Sequence, residues 1–333
     1  MRVLTARELN RATLARQLLL ERRKLSPLAV IERVVGMQAQ WAPAPYVGIW
    51  TRAEGFRREA LERALRRGDV LKPTVMRGTP HLVTKRDYPM FWHAFKELHV
   101  GYSPAALARG LTFLEEARAR APLTQREAYA WLGDPNPKHT FRAIKRRGHL
   151  LHHAETALWK PTASLLFHAA DEPAELEYDG ALTQLVHRYL RAFGPATKKD
   201  INAWSLLPMG WFAHALEGLP TYRDEAGRTL YDVPRAPLPD ADTRVPVRFL
   251  PKWDNAILGF EKSGRLLPAE LRRTVILANG DVAPTVLVDG IVAARWKANE
   301  AGHVAVEYLA SVTRTQKAEV ADEATRLEAW LAS

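Results

Sequence analysis

Two glutamines, Gln38 and Gln40, stand one residue apart in the otherwise apolar stretch VVGMQAQWAPAPYVGIW. Neither amide titrates, so the pair cannot supply a general acid or base. Each amide can still hold a water with its carbonyl oxygen while its NH₂ group binds a neighbouring oxygen. That arrangement suffices for bond cleavage only when the leaving group is already good. The alternative is that the pair ties down a helix end, which is the commoner use of glutamines taken alone.

Several other kinds of chemistry are excluded or unsupported. The chain has no cysteine, which excludes disulfides, thiolate catalysis and the usual structural zinc sites. We find no Gly-rich phosphate loop, no metal-ligand cluster at useful spacing and no Ser-His-Asp arrangement. We therefore expect neither a metal nor a cofactor. The N-terminus lacks the features of a secretory signal, and no apolar run approaches the roughly 18 residues that span a bilayer. These features favour a cytoplasmic protein.

The excess of positive charge lies entirely in the N-terminal half. Residues 1–160 hold 29 Lys and Arg against 14 Asp and Glu, a net of +15, whereas residues 161–333 hold 19 against 23, a net of −4. A basic surface kept for solubility would not be so lopsided. A polyanionic partner explains it, because neutralising phosphates releases condensed counterions. Nucleic acid is favoured over a membrane surface, since no basic amphipathic helix with aromatic anchors stands out.

The most basic segment is KHTFRAIKRRGH, which contains no acidic residue. Lys138, Arg142, Lys145 and Arg146 recur in it at three- and four-residue spacing, so a helix would present them on one face. A face that is merely solvated normally carries both signs of charge. We predict that these four side chains contact phosphates, as the polar face of a helix-turn-helix unit does.

The elements around the QAQ motif are predicted to be three helices and a hairpin. Residues 7–23 carry leucines on one stripe, and a second helix begins at Ser26. We predict that this second helix ends near the QAQ, where Pro43 and Pro45 impose extended or turn geometry. A third helix, over about 57–67, precedes two β-rich runs in DVLKPTVMRGTPHLVT. Helices followed by a hairpin make the pattern of a winged helix.

The same order of elements occurs twice more, without detectable sequence identity. In the second unit, LTQREAYAWLG is a helix with Thr124 as N-cap and Glu127 completing a capping box. The next helix, NPKHTFRAIKRRGH, is closed by Gly148 and runs into a short strand. In the third unit the predicted helices lie in GALTQLVHRYLRAFGP, ATKKDINAWSLL and PMGWFAHALEG, and the hairpin lies in LPTYRDEAGRTLYDV.

The last segment is rich in strands. Asn279-Gly280 and Asp289-Gly290 are strong hairpin turns, and residues 316–331 form a closing amphipathic helix. The acidic, proline-rich stretch 233–246 is the best candidate linker.

We therefore predict an α+β protein, mainly α. Three tandem winged-helix units occupy 1–101, 102–178 and 179–240, and a β-rich domain with a C-terminal helix occupies 241–333.

With these elements in place, the chain resembles the AlkZ/YcaQ type of bacterial winged-helix DNA glycosylases. The resemblance covers nearly the whole chain and rests on GMQAQWAPAPYVGIWTR, MRGTPHLV, LPKWDN and PTVLVDGIVAARW. Its most specific element is a Gln-x-Gln in the first winged helix, matched by Gln38 and Gln40. The YcaQ-like branch carries an aspartate at the second position, so Gln40 puts this sequence nearer the AlkZ-like branch.

The resemblance implies excision of alkylated guanines, including those in interstrand crosslinks. A guanine alkylated at N7 is cationic and leaves as a neutral base, so two amides fit it. We expect a monofunctional enzyme that leaves an abasic site, because no lysine sits beside the motif to form a Schiff base. The partner would be double-stranded DNA with alkylated guanine, in the cytoplasm with the nucleoid. The protein would act as a monomer, since tandem units remove the need to dimerise around DNA.

Five further residues are candidates for the same cleft. Arg77 can reach a phosphate and His81 a sugar oxygen, although turn structure explains both about as well. Asn255 can line the cleft or take part in an Asx turn. Trp41 can narrow the site, stack on a base or pack against a proline, and Arg295 can insert at a distorted duplex. The alternative function is a non-enzymatic winged-helix regulator, which basic charge and winged helices predict equally well.

Overall fold

Helix and strand are mixed throughout the chain. A computed structural model describes residues 1–98, 104–120, 122–133, 136–146, 149–261 and 264–333. Within these ranges the α-helices are α1 (Ala6–Arg16), α2 (Pro27–Arg33), α3 (Pro43–Trp50), α4 (Arg58–Arg66), α5 (Tyr88–Phe95), α6 (Pro104–Ala117), α7 (Gln125–Leu132), α8 (Pro137–Arg146), α9 (Tyr178–Phe193), α10 (Lys198–Ser205), α11 (Asn255–Leu258), α12 (Arg272–Val275) and α13 (Arg314–Ala332).

The strands are short, and they form four small sheets in the described ranges. They are β1 (Val3–Leu4), β2 (Met37–Gln38), β3 (Val70–Leu71), β4 (His81–Thr84), β5 (Leu123–Thr124), β6 (Leu150–His152), β7 (Leu166–Ala169), β8 (Thr221–Asp224), β9 (Thr229–Tyr231), β10 (Arg248–Leu250), β11 (Thr285–Val288), β12 (Ile291–Ala298) and β13 (Val304–Tyr308). The sheet orders are β2-β4-β3, β5-β7-β6, β1-β8-β9 and β10-β11-β12-β13.

The two helices before the QAQ are shorter than predicted. Helix α1 ends at Arg16 rather than near residue 23, and Leu18 takes a positive φ of 58°. Helix α2 ends at Arg33, so the prediction that it reaches the QAQ is wrong. Val35 (φ 58°) and Gly36 (φ 82°) leave the helical region and turn the chain into β2. The first glutamine therefore lies on a strand, which removes helix-end capping as its explanation.

The prolines after the motif begin a helix instead of preventing one. Pro43 and Pro45 occupy the first and third positions of α3. The N–H groups of a helix's first turn have no partner within the helix, so proline costs nothing there and its fixed φ suits the helix. The sequence prediction of extended or turn geometry at these prolines is wrong for this reason.

The predictions for the later elements have mixed outcomes. Thr124 accepts from the Glu127 backbone N–H and Glu127 accepts in return, which confirms the capping box of α7. The proposed stop at Gly148 lies outside the described residues. The third helix predicted over 208–218 is wrong, because only a short 3₁₀ turn, His214–Leu216, forms there.

The C-terminal segment forms the largest sheet of the described residues, and α13 packs beside it. Asp289-Gly290 joins β11 to β12, as predicted. The predicted strand at 303–309 and the closing helix also appear, as β13 and α13. Leu14 and Leu19, from the start of the chain, are buried in the same apolar cluster as Leu250 and Leu287. The N-terminal residues therefore help to hold the C-terminal sheet in place.

Candidate active site

Strand pairing places the first glutamine opposite a histidine. Strand β2 runs antiparallel to β4, with Gln38 opposite His81, and the pairing continues as the Ala39 N–H donates to the Pro80 carbonyl at 2.8 Å. Gly36 makes this approach possible: a Cβ there would lie 3.3 Å from the Leu82 carbonyl oxygen, and its φ is positive. The turn before β2 therefore fixes where the Gln38 side chain emerges.

A single arginine connects the side chains that the sequence nominated separately. Arg77 Nη2 donates to Gln38 Oε1 at 2.8 Å and to Asn255 Oδ1 at 3.2 Å, and Nη1 donates to the Trp204 carbonyl at 3.1 Å. Asn255 in turn donates through Nδ2 to the Gly36 carbonyl at 2.8 Å. The network therefore joins β2, the turn before β4, α10 and α11.

The network fixes the orientation of the Gln38 amide. A guanidinium only donates hydrogen bonds, so the atom of Gln38 that faces it is the carbonyl oxygen. The Nε2 group is thereby left as a donor, and among the described residues it has no acceptor. Gln38 itself is 6% exposed. The structure thus presents a buried, oriented N–H donor rather than a free amide.

His81 is completely buried beside Arg77. Its Nδ1 lies 2.9 Å from the Thr79 carbonyl oxygen, so this nitrogen must carry the proton. Its Nε2 then faces Arg77 Nη2 at 3.5 Å. Burial, together with the positive charge of Arg77, lowers the pKa of His81 to about 3. The ring is therefore neutral at physiological pH, and its Nε2 contacts the Arg77 guanidinium.

The depressed pKa of His81 gives a testable pH dependence. Folding favours the unprotonated ring, so the contribution of His81 is present above pH 6.5 and is lost as the pH falls toward 3. We expect His81→Asn, which keeps a donor for Thr79, to make the free energy of unfolding fall less steeply between pH 6.5 and 5, by about 1 kcal/mol per pH unit. Urea unfolding of both proteins at several pH values checks this. Equal slopes would contradict it.

Arg77 carries a charge that no carboxylate offsets. All its hydrogen-bond partners are neutral, and no ion pair forms to it within the part of the chain that is described. Burial lowers its pKa to about 10, so it stays protonated near neutral pH. Its backbone is also in the left-handed region, with φ 54°. An uncompensated cation beside the motif is suited to attracting an anionic group of a ligand.

A buried ion pair holds Asn255 in the network. Asp254 caps the N-terminus of α11 by accepting from the Ala256 N–H. Both its oxygens also accept from Arg52, at 2.7 and 2.8 Å, and both side chains are 1–2% exposed. Sequence reasoning missed Arg52, because a partner 202 residues away leaves no local pattern.

The second glutamine has different surroundings. Gln40 is exposed, two residues beyond the buried Gln38. Trp41 beside it is 42% exposed, and among the described residues it has no aromatic partner. Of the three roles considered for Trp41, its exposure fits stacking on a ligand better than packing.

A very small cavity lies next to the first glutamine. Its volume is about 10 Å³, and its lining includes Gln38, Arg52, Trp253, Asp254 and Asn255. That is about the space that one water needs. The carboxylate in its wall, Asp254, is bound bidentately by Arg52. The cavity can therefore hold a water but not a nucleobase.

The predicted basic helix reaches the same region at one end. Lys138 and Arg142 are exposed on α8, whereas Arg146 lies against the turn that carries Arg77: its Nε is 2.9 Å from where a Cβ on Gly78 would stand. Lys145 turns inward, with its ammonium 5.2 Å from the Phe141 ring centroid. Two of the four basic residues, Lys138 and Arg142, are thus exposed, and the other two are half-buried.

Arg295 is not brought to this network. Its guanidinium makes two hydrogen bonds to the Glu307 carboxylate, at 2.8 and 2.9 Å, and another to the Thr274 carbonyl.

In the portion of the chain that is described, no group of three or more acidic or histidine side chains could hold a metal ion, and no helix is long and apolar enough to cross a membrane.

Comparison with known proteins assigns the family. The family model described as AlkZ-like DNA glycosylase matches residues 31–330. Among solved structures, the fold matches the Streptomyces sahachiroi DNA glycosylase AlkZ with a TM-score of 0.82 and 21% identity, over 100% of this chain and 98% of that one. No curated protein matches the sequence. Because the family match spans nearly the whole chain, the protein is a DNA glycosylase and belongs to the AlkZ-like family.

Proposed function

We propose that this glycosylase hydrolyses the N-glycosidic bond of N7-alkylated guanine in duplex DNA and leaves an abasic site. The observation that carries the proposal is the Gln38 amide, oriented by Arg77 beside a cavity whose carboxylate, Asp254, is already neutralised by Arg52. Enzymes that cleave ordinary glycosidic bonds use free carboxylates as acid and base. A site with amides in their place suits a base that leaves without help.

The positive charge of the lesion takes the place of an acid catalyst. Cleavage passes through an oxocarbenium-like sugar, and an N7-alkylated guanine is already cationic, so its departure as a neutral base needs no proton. An unmodified guanine would leave as an anion and would need an acid. Two amides therefore discriminate between lesion and normal base by chemistry, without a pocket that reads the base.

The two glutamines would have different roles in the reaction. Arg77 takes one lone pair of the Gln38 carbonyl and leaves Nε2 without an acceptor among the described residues, so this residue would act mainly as a donor through Nε2 toward the water or a sugar oxygen. Gln40 is exposed with its carbonyl available, so it would accept a hydrogen bond from the attacking water and face the developing sugar cation. Arg77, with no carboxylate partner, would hold a phosphate next to the lesion.

Bulky adducts and interstrand crosslinks fit this site as well as a methyl group does. The cavity beside Gln38 is too small for a base, while Gln40 and Trp41 are exposed. The lesion would therefore be attacked at an open surface, with Trp41 stacking on a base. An enzyme that encloses the flipped base would exclude crosslinked guanines, and this geometry does not require enclosure.

Three tandem winged-helix units would form the DNA-binding surface, over 1–101, 102–178 and 179–240, with the β-rich domain over 241–333. Each of the three groups of helices is accompanied by a three-stranded sheet, which supports this division. The first strand departs from it, because β1 pairs with β8 of the third unit. The boundary between 101 and 102 lies outside the described residues.

The exposed basic residues of α8 give a prediction for DNA affinity. Lys138→Ala/Arg142→Ala should weaken binding to undamaged duplex and reduce the slope of log K against log salt by about 2, since each phosphate contact contributes about 0.9. Arg314→Ala/Lys317→Ala on α13 removes the same charge outside the basic half and should leave the slope unchanged. Fluorescence anisotropy at several salt concentrations measures both, and equal slopes would remove α8 from the interface.

The proposed substrate class is tested with wild-type protein and three duplexes. One carries N7-methylguanine, one a bulky N7 adduct and one an N7-linked interstrand crosslink. Release of the modified base from either monoadduct, with an uncut abasic strand, supports the proposal. Separation of the crosslinked strands, with the excised guanine still attached to the opposite strand, extends it. Tight binding to all three with neither base release nor strand separation would contradict this substrate class.

A further inference from the structure

An apolar turn follows helix α10 next to Arg77. The helix ends at Ser205, and the chain continues as Leu-Leu-Pro-Met-Gly over residues 206–210, a segment called here the α10 turn. It begins two residues after Trp204, whose carbonyl oxygen accepts from Arg77 Nη1 at 3.1 Å. Consecutive Cα atoms are about 3.8 Å apart, so the Leu206 backbone lies within about 8 Å of the Trp204 backbone. The α10 turn therefore borders the candidate active site.

Two apolar side chains of the α10 turn are exposed. Leu206 is 49% exposed and Met209 is exposed as well, and neither joins an apolar cluster of the described residues. Between them, Leu207 is completely buried and anchors the turn in the apolar cluster that contains Trp204. A single exposed leucine is ordinary in soluble proteins, so exposure alone assigns no role to Leu206.

The backbone of Leu206 is strained as well as its side chain being exposed. Its φ is 65°, in the left-handed region that is usually left to glycine at the end of a helix. Leu18 and Val35 also have a positive φ, but both are buried, so packing compensates for their strain. Leu206 lacks that compensation, because glycine would suit its backbone better and a polar residue its exposure. A residue that is unfavourable on both counts indicates a function.

Hydrogen bonds hold Leu206 in this conformation. Its N–H donates to the Asn202 carbonyl at 2.7 Å, and Asn202 Nδ2 donates to the Leu207 carbonyl at 2.8 Å. The Ser205 hydroxyl donates to the Ile201 carbonyl at 2.7 Å and accepts from the Leu207 N–H at 3.1 Å. These bonds lie on both sides of Leu206, so its exposed side chain is presented by a fixed turn rather than by a free loop.

A DNA duplex is the ligand that these features fit. The protein belongs to a DNA glycosylase family, and Arg77 beside the turn has no carboxylate partner among the described residues. Bases are about 3.4 Å apart along a strand, so the α10 turn lies within roughly three or four base pairs of any phosphate that Arg77 binds. Proteins that kink DNA insert apolar side chains, leucine and methionine among them, between neighbouring base pairs.

We propose that Leu206 inserts between neighbouring base pairs of the bound duplex and opens the base stack next to the reaction site. Opening one step lets water reach the sugar of the damaged nucleotide without moving its base into a closed pocket. The strained backbone lowers the stability of the free protein, and contact with the base pairs offsets that loss in the complex. The inference needs a duplex but not the N7-alkylated guanine proposed above, so the two can fail separately.

Fluorescence of 2-aminopurine tests the insertion, because this base analogue brightens when it is unstacked. Two duplexes carry one tetrahydrofuran abasic-site analogue, with 2-aminopurine as its 5′ or its 3′ neighbour, and each is titrated with intact protein to saturation. We expect wild type to raise the fluorescence of at least one duplex by about twofold or more, and Leu206→Gly to lose most of that rise. Leu206→Met keeps an apolar side chain of similar length and should retain at least half of it. Leu111→Ala, which removes an exposed leucine from α6, is the matched control and should behave like wild type.

Thermal unfolding separates insertion from packing. Glycine is favoured at the φ of Leu206, so Leu206→Gly should melt at or above the wild-type temperature, by up to about 3 °C. A leucine kept for packing would instead lower Tm when it is removed. The proposal is overturned if wild type raises the fluorescence of neither duplex, if Leu206→Gly raises it equally, or if Leu206→Gly melts below wild type. The probe duplexes carry no alkylated guanine, so absence of base release from N7-methylguanine would not change these outcomes.

Discussion

Replacing Gln38 by alanine is expected to reduce the rate of base release about 100- to 1000-fold, the usual cost of losing one preorganised donor at a reacting centre. Duplex affinity should change little, because the residue is 6% exposed and its carbonyl is engaged by Arg77. The rate is measured under single-turnover conditions on a duplex with one N7-methylguanine. A rate within tenfold of wild type would remove Gln38 from the chemistry.

Gln38→Glu separates the donor role from the shape of the side chain. Glutamate is nearly isosteric and would still accept from Arg77, whose charge it would neutralise, so the fold should be kept. It cannot donate a hydrogen bond when ionised. We therefore expect Gln38→Glu to be as inactive as Gln38→Ala but at least as stable as wild type. Full activity would mean that a carboxylate can act there as a base, and that the donor role is wrong.

The second large effect is on stability. Asp254→Asn should lower the free energy of unfolding by about 3–5 kcal/mol, because it leaves Arg52 buried without a counter-charge. Arg52 would keep its bonds to the Gln17 and Gly48 carbonyls, but these do not balance its charge. Urea unfolding at pH 7 measures the loss. A change below about 1 kcal/mol would show that water reaches the pair.

The double variant Arg52→Met/Asp254→Leu is the matched control for that loss. Replacing both partners of a buried pair by apolar groups is often nearly neutral, so it should be clearly more stable than Asp254→Asn. It should still release base slowly, because Asp254 also caps the helix that presents Asn255 to Arg77. A fully active double variant would mean that the network does not need this anchor.

Elements of the fold that depend on residues close together in the sequence were predictable. The capping box of Thr124 and Glu127 and the Asp289-Gly290 turn each depend on residues within a few positions, and both are present. The errors also have a local cause. Pro43 and Pro45 were interpreted as imposing extended or turn geometry, although proline in the first turn favours a helix. Leu18 takes a positive φ, which is not expected for a leucine.

The site was only partly predictable, because its assembly is not local. Gln38, Arg77, His81 and Asn255 were each nominated from sequence. Arg77 connects the other three side chains only because α11, which is more than 170 residues away in the sequence, packs against the turn before β4. Nothing in the sequence indicated that the guanidinium would bind the Gln38 carbonyl, which orients that amide and turns its Nε2 toward the site as a donor.

The most direct test compares base release by wild type and by Gln38→Ala/Gln40→Ala. A duplex with a single N7-methylguanine is incubated with excess protein, and free base is quantified over time, with duplex affinity measured in parallel. We predict release by wild type and none above the spontaneous rate by the variant, at equal affinity. Equal release by both proteins would place the chemistry elsewhere and contradict the role of the two amides.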